Sequence, residues 1–326
     1  MKTAIKGLGL LMAFALALAA GTSSAQSYPN KPIKLVVGFG PGGGTDILGR
    51  LVAPQLSERV GVAVTVENRP GANSNIGTDY VAKSTPDGYT LLVGGSASMA
   101  LSSGLYERLP FDPLKDFIPI AQIVAGDALV LAVHPSVPAK SVKDLIAYAK
   151  ANPGKVFYGS GAPPFQIAAE YFNKLAGVNM THVPFKGAAG AVAATVAGET
   201  QVTVVSIASG LAQFKAGKLR MLAVTGFKRD HVLPDVPTMK EAGLAEDFEV
   251  PMWTGLFAPA GTPAPIIDKL SSQMALILKS DLTRSRFHSM GYESLPLTRA
   301  EFTKLQKDDI EKWTKVVRDD LRIRIE

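Results

Sequence analysis

The stretch Ile33-Lys34-Leu35-Val36-Val37-Gly38-Phe39-Gly40-Pro41-Gly42-Gly43-Gly44-Thr45-Asp46 decides the fold, because an apolar run breaks into glycines and then into a helical pattern. Residues 33–39 read as a buried strand, residues 46–59 carry apolar side chains at helical spacing, and residues 62–67 read as a second strand. Strand, helix and strand in so short a span make a βαβ unit, which builds a parallel sheet with helices on its faces.

The alternation continues outward from this unit. Helices are expected at 79–83, 142–151, 166–176, 187–197, 265–279 and 299–317, and strands at 90–93, 129–133, 156–158, 202–206 and 219–225. The pattern predicts an α/β fold, mostly parallel sheets with helices on both faces. Turn signals such as Asn68-Arg69-Pro70-Gly71, Thr85-Pro86-Asp87-Gly88, Asn152-Pro153-Gly154 and Leu233-Pro234-Asp235-Val236-Pro237 separate the elements. None resembles a flexible linker, so a two-domain chain must cross between its domains by short segments. The stretches near Gly126 and near Asp247 are the candidates.

Upstream of the unit, residues 1–25 read as a signal peptide. Lys2 and Lys6 precede an uninterrupted small and apolar run at 7–21, and Ser23 and Ala25 fit the positions before a cleavage that starts the mature chain at Gln26. The apolar run is shorter than the about 20 residues that span a bilayer. The periplasm is therefore the expected location.

The remainder is too long for one ordinary core and suits two domains. The chain has no cysteine, which excludes disulfides, thiolate metal ligands, cysteine nucleophiles and lipid attachment through cysteine. Its four histidines are too dispersed to suggest a metal site. The net charge of +6 is spread among acids rather than gathered on one face, which argues against nucleic acid and is compatible with an anionic ligand.

The glycine loop admits two chemical readings. Gly38, Gly40 and Gly43 form GxGxxG, and Glu67 ends the second strand where a dinucleotide fold places its ribose acid, which would make the protein an NAD-dependent oxidoreductase. Against this, Pro41 removes an amide within the motif, and no His, Lys or Tyr constellation for hydride transfer follows. The other reading is an anion site, since glycines let the amides at a helix start approach a ligand oxygen. In the plainest alternative the glycines only turn the chain and Thr45 or Asp46 caps the helix. A hydrolase using Ser160 or Ser206 with His182 lacks the GxSxG turn.

Further pieces lie in a fixed order: Tyr28-Pro29-Asn30-Lys31-Pro32, Pro41-Gly42-Gly43-Gly44-Thr45-Asp46, Glu67-Asn68-Arg69-Pro70-Gly71-Ala72, Ser84-Thr85-Pro86-Asp87-Gly88-Tyr89, His182-Val183-Pro184-Phe185-Lys186-Gly187 and Trp253-Thr254-Gly255-Leu256-Phe257. With them the mature chain resembles the periplasmic solute-binding proteins of the tripartite tricarboxylate transporters, the Bordetella uptake (Bug) type. The resemblance implies a two-lobed periplasmic binding protein fold of type II. Its first lobe would comprise 26–126 and 247–326, and its second 127–246. It also implies a small organic carboxylate, aliphatic or aromatic, pinched between the glycine loop and the loop at 185–188. The pocket candidates it gives are Phe39, Gly43, Gly44, Asp46, Ser96, Ser98, Ser160, Gly161, Lys186, Gly187 and Ala188. Asp46 has the alternative of a helix cap, Ser96 and Ser98 of turn residues, Lys186 of a solvated side chain, and His182 of a hydrogen-bonded structural residue.

The chain departs from the family pattern at Gln166, where relatives often carry His, and at Val205, where they often carry Asp. Loss of an acid there disfavours an amino-acid ligand. The resemblance further implies a monomer with no enzymatic activity, cofactor or metal, whose partners are the large and small membrane subunits of a transporter. A sensory binding protein that presents its ligand to a receptor kinase is the alternative from another class.

Overall fold

The computed structural model describes residues 28–323 except 126–127, 227, 245–247, 249, 251 and 293–296. The expected signal peptide, the start at Gln26 and the crossover positions Gly126 and Asp247 lie outside the described residues. The chain divides into Met1–Asn30 and Lys31–Glu326, and the architecture below belongs to the second unit.

The elements run β1 (Ile33–Val37), α1 (Gly44–Val60), β2 (Val64–Asn68), α2 (Asn75–Ala82), β3 (Thr90–Gly95), a π-type turn (Ala97–Leu101), α3 (Ser102–Leu105) and β4 (Phe117–Ala125). They continue with β5 (Leu129–Val133), α4 (Val142–Ala151), β6 (Phe157–Ser160), α5 (Pro163–Ala176), β7 (Thr181–Pro184), α6 (Ala188–Val196), β8 (Val202–Ser206), α7 (Ile207–Lys215) and β9 (Arg220–Val224). The last are β10 (Trp253–Pro259), α8 (Ala264–Lys279), α9 (Asp281–Ser289), α10 (Arg299–Lys315) and a π-type turn (Val316–Leu321).

Two five-stranded sheets result, ordered β2-β1-β3-β10-β4 and β7-β6-β8-β5-β9. The expected parallel core is present in both, since β1 runs parallel to β2 and β3, and β6 runs parallel to β7 and β8. Both sheets are nevertheless mixed. β10 lies antiparallel to β3 and β4, and β5 lies antiparallel to β8 and β9. Each of these strands is the first one after the chain passes from one sheet to the other, so it enters its sheet from the shared side. This two-lobed α/β arrangement leaves the carboxyl ends of the parallel strands facing one cleft.

The first sheet is held by an aromatic cluster in which Phe257 and Phe302 have ring centroids 5.4 Å apart and Trp253 stands edge-on to Phe302 at 5.2 Å. Val36, Leu92, Met99 and Phe117 pack into the same cluster. The buried Gln306 amide beside it is satisfied, since Gln306 Nε2 donates to the carbonyls of Met99 at 3.1 Å and Pro113 at 3.0 Å. Some helix starts away from the cleft carry side-chain caps, while α8 starts after Pro263 without one. Ser141 accepts from the Asp144 amide at 3.1 Å, and Thr298 with Glu301 forms a reciprocal capping box on α10. No helix among the described residues is long and apolar enough to cross a membrane.

Candidate functional site

The cleft between the sheets narrows to a cavity of about 50 Å³. The first sheet contributes Phe39, Gly43, Gly44 and Thr45 after β1, then Gly95, Ser96 and Ala97 at the end of β3. Val124 in β4, Met252, Trp253 and Thr254 at β10, and Tyr292 after α9 complete that side. The second sheet contributes Gly161, Ala162, Pro164 and Phe165 at the start of α5, Ala188 at the start of α6, and Ser206 at the start of α7. The residues after β1, β3, β6 and β8 lie at the carboxyl ends of strands, where open α/β sheets bind ligands, and the antiparallel β10 joins them with its amino end.

Four α-helices therefore begin at this cavity: α1, α5, α6 and α7. The first three start at Gly43, Ala162 and Gly187, and no side chain caps any of them. At α1 and α6 the leading amides have no intrahelical partner and carry the positive end of the helix dipole, whereas α5 opens on Pro163 and Pro164, which have no N–H, and its Phe165 N donates to the Ala162 carbonyl at 3.1 Å. Only α7 is capped, by Ser206, whose Oγ lies 2.7 Å from Ser209 Oγ. No Asp, Glu, Lys, Arg or His is among the described residues that line the cavity. No group of three His, Cys, Asp or Glu among the described residues could hold a metal ion.

The two loops meet over the cavity. Gly40 N donates to the Lys186 carbonyl at 3.5 Å, and a Cβ on Gly42 would stand 3.6 Å from Ala189 Cβ. Gly161 sits where two backbones nearly touch. A Cβ there would lie 2.1 Å from the Gly187 carbonyl carbon and 2.5 Å from the Ala188 nitrogen, so no other residue fits without moving the α6 start. Three hydroxyls crowd the first residue of α1, since a Cβ on Gly44 would lie 2.7 Å from Tyr292 Oη, 3.3 Å from Ser206 Oγ and 3.8 Å from Ser209 Oγ.

Of the expected pocket residues, Phe39, Gly43, Gly44, Ser96, Gly161 and Ala188 line the cavity. Gly187 caps α6 beside Gly40, and Lys186 offers its carbonyl to Gly40 while its side chain is exposed. Ser98 is buried one residue beyond the lining. Asp46 is not in the lining. Its carboxylate accepts from Gly42 N at 2.9 Å, Arg50 Nε at 3.0 Å and Asn68 Nδ2 at 2.8 Å. Burial opposes that charge, but the Arg50, Gly42 and Asn68 hydrogen bonds outweigh it and hold the carboxyl below its ordinary pKa. Asp46 thus clamps the glycine loop from behind.

Ser160 also stands behind the lining, with its Oγ 2.7 Å from His182 Nε2. The His182 ring stacks on Tyr158 at 5.0 Å, and Tyr158 donates to Glu170 Oε1 at 2.5 Å. Tyr158 and His182 are register partners in β6 and β7, so this network ties the two strands together. Burial pushes the His182 pKa down against the opposing field of Glu170. Glu67, the acid of the dinucleotide reading, is bonded to Lys34 Nζ at 2.6 Å and to Arg69 Nε, and Lys34 chiefly holds it below its usual range.

The lining residues not anticipated are Thr45, Gly95, Ala97, Val124, Ala162, Pro164, Phe165, Ser206 as lining, Met252, Trp253, Thr254 and Tyr292. Trp253 and Thr254 lay within a conspicuous sequence landmark. Val124, Met252 and Tyr292 carried no local signal, because only the sheet order brings them to the glycine loop.

Comparison with known proteins agrees with this architecture. The family model described as "Tripartite tricarboxylate transporter family receptor" matches residues 48–321. The protein BugT of Bordetella pertussis is 35% identical over 300 residues, covering 91% of both chains. The structure titled "R. palustris Rpa4515 with adipate" superposes with a TM-score of 0.87 at 34% identity, covering 91% of this chain and 100% of that one. MatC (Rpa3494) from Rhodopseudomonas palustris with bound malate gives a TM-score of 0.84 at 30% identity, covering 89% of this chain and 100% of that one.

Proposed function

The chain belongs to the tripartite tricarboxylate transporter receptor family, whose members are binding proteins rather than enzymes, and from that premise we propose that it is a periplasmic receptor for a small organic carboxylate. Residues 1–25 direct export, and the loaded protein delivers its ligand to the membrane subunits of a tripartite transporter. The observation that carries this reading is that the uncapped amides of α1 and α6 meet at a cavity whose described lining residues include no charged side chain. Each helix start is equivalent to roughly half a positive charge, and a carboxylate placed there gains about 0.3–1 kcal/mol, up to about 2 in buried geometry. The two starts, with the hydroxyls around Gly44, offset the several kcal/mol that desolvating an anion costs. Amides do so without desolvating a countercharge.

The anion bridges the glycine loop and the start of α6, so binding and lobe closure are one event, driven by higher affinity for the closed form. The lobes that close are 26–126 plus 247–326 and 127–246. Adipate and malate, named with the two relatives of known structure, support a carboxylate as the ligand class. Calorimetry with a carboxylate library and the matching primary amides tests the reading. An acid should bind at least about tenfold more tightly than its amide, a difference of about 1.4 kcal/mol. Equal binding of acid and amide would remove the carboxylate anchor.

A further inference from the structure

The cavity is polar at one end and apolar at the other. Neighbouring strands lie about 4.8 Å apart, so in the order β1-β3-β10-β4 the ends of β10 and β4 stand roughly 10 and 14 Å along the cleft from the glycine loop. At the glycine end, Tyr292 Oη, Ser206 Oγ and Ser209 Oγ gather around Gly44, and the uncapped start of α1 points its amides there. Over β10 and β4 the lining is Val124, Met252 and Trp253. Trp253 and Thr254 pair with Ala125 and Val124 in the β10–β4 register, so this end is one continuous patch. The single N–H of the indole is already donated to Asp309 Oδ2 at 2.7 Å. Thr254 supplies the one hydroxyl of the patch, and no cation among the described lining residues faces it.

A ligand that spans this cavity can be ionised at one end only. A second carboxylate over β10 and β4 would lose its hydration and find only the hydroxyls of Thr254 and of Ser96 at the end of the adjoining strand, with no cation among the described lining residues, which does not compensate a buried charge. Resting on the carboxylate reading above, we propose that the ligand is a monocarboxylic acid with an uncharged, apolar body, a medium-length aliphatic or small aromatic acid. Its carboxylate lies at the start of α1 and its body against Val124, Met252 and Trp253.

Calorimetry on the purified protein with matched probes tests this: hexanoate against adipate, and benzoate against terephthalate, with hexanamide and benzamide as neutral controls. At least one monoacid should bind about tenfold or more tightly than its diacid partner. Met252→Lys, at a half-buried position, places an ammonium at the apolar end and should shift the adipate-to-hexanoate affinity ratio about tenfold toward the diacid. Diacids that bind the unmodified protein as well as the monoacids overturn the inference, while the carboxylate reading stands if acids still exceed amides. Amides that match the acids overturn both. An unchanged ratio in Met252→Lys, or no binding of either monoacid at about millimolar concentration, overturns the inference as well.

Discussion

The glycine loop after β1 and the turn after β6 reach the same cleft, yet different forces hold them. The β1 loop is gripped from behind by Asp46, and its glycines keep space open: a Cβ on Gly43 would meet only the Gly40 carbonyl, at 3.7 Å. The turn after β6 is held by contact, because Gly161 lets two backbones approach within van der Waals distance. Glycine serves access in one loop and packing in the other. The same residue type should therefore fail differently in the two places.

The largest expected effect is on folding. In Gly161→Ala the new methyl meets backbone rather than a movable side chain, and overpacking of that kind costs about 1–3 kcal/mol or more. Chemical denaturation should record the loss with or without ligand; a variant as stable as the parent would show that the α6 start yields. Gly43→Val should do the reverse. Its φ of −80° and ordinary contacts leave the fold intact, while the branched side chain fills the approach to the α1 amides. Its melting temperature without ligand should match the parent, and affinity for whichever acid a screen finds should fall by about tenfold or more.

Acid separates the two regions again. Burial holds the His182 pKa below its unfolded value, so the unfolded chain takes up the proton first. The stability this residue contributes is complete above about pH 6.5 and declines as pH falls through the lower folded value. The Asp46 carboxyl is also depressed, but from the carboxylate range, so the clamp on the β1 loop holds until the pH drops below about 4. Hydrogen exchange between these limits should loosen β6 and β7 while α1 stays protected, and His182→Gln should abolish the difference. Equal loosening of both regions would remove the distinction. The smallest effect belongs to a helix start outside the cleft: Ser141→Ala should cost about 1 kcal/mol of stability and leave ligand affinity unchanged.

Much of the fold was legible because the parallel strands and their helices obey simple periodicity. The strands at 129–133 and 202–206 and the helix at 142–151 fall where the pattern placed them. The elements that were missed break the pattern for physical reasons. β4 contains Pro119, tolerated because β4 is an edge strand, and two register shifts against β10 destroy its alternation. β10 is buried along its whole length and shows no alternation, and Gly255 interrupts it to make room for the Phe302 ring. α7 leaves β8 directly at Ser206, and α9 follows α8 after a single Ser280, so neither has a turn signal before it. In the site, the glycine loop announced itself through composition, whereas Tyr292 and Val124 reach it only through the tertiary fold.

The central claim is that helix starts and hydroxyls, with no protein charge, hold the anion. The pH dependence of affinity tests it most directly, by calorimetry with the tightest-binding acid of the library. No Asp, Glu, Lys, Arg or His is among the described lining residues, and carboxylic acids ionise near 4, so the dissociation constant should be flat between about pH 6 and 9 and weaken only as the ligand itself becomes protonated. A loss of about tenfold within it, in protein that remains folded, would mean that a titrating side chain supplies the charge, and would contradict the account.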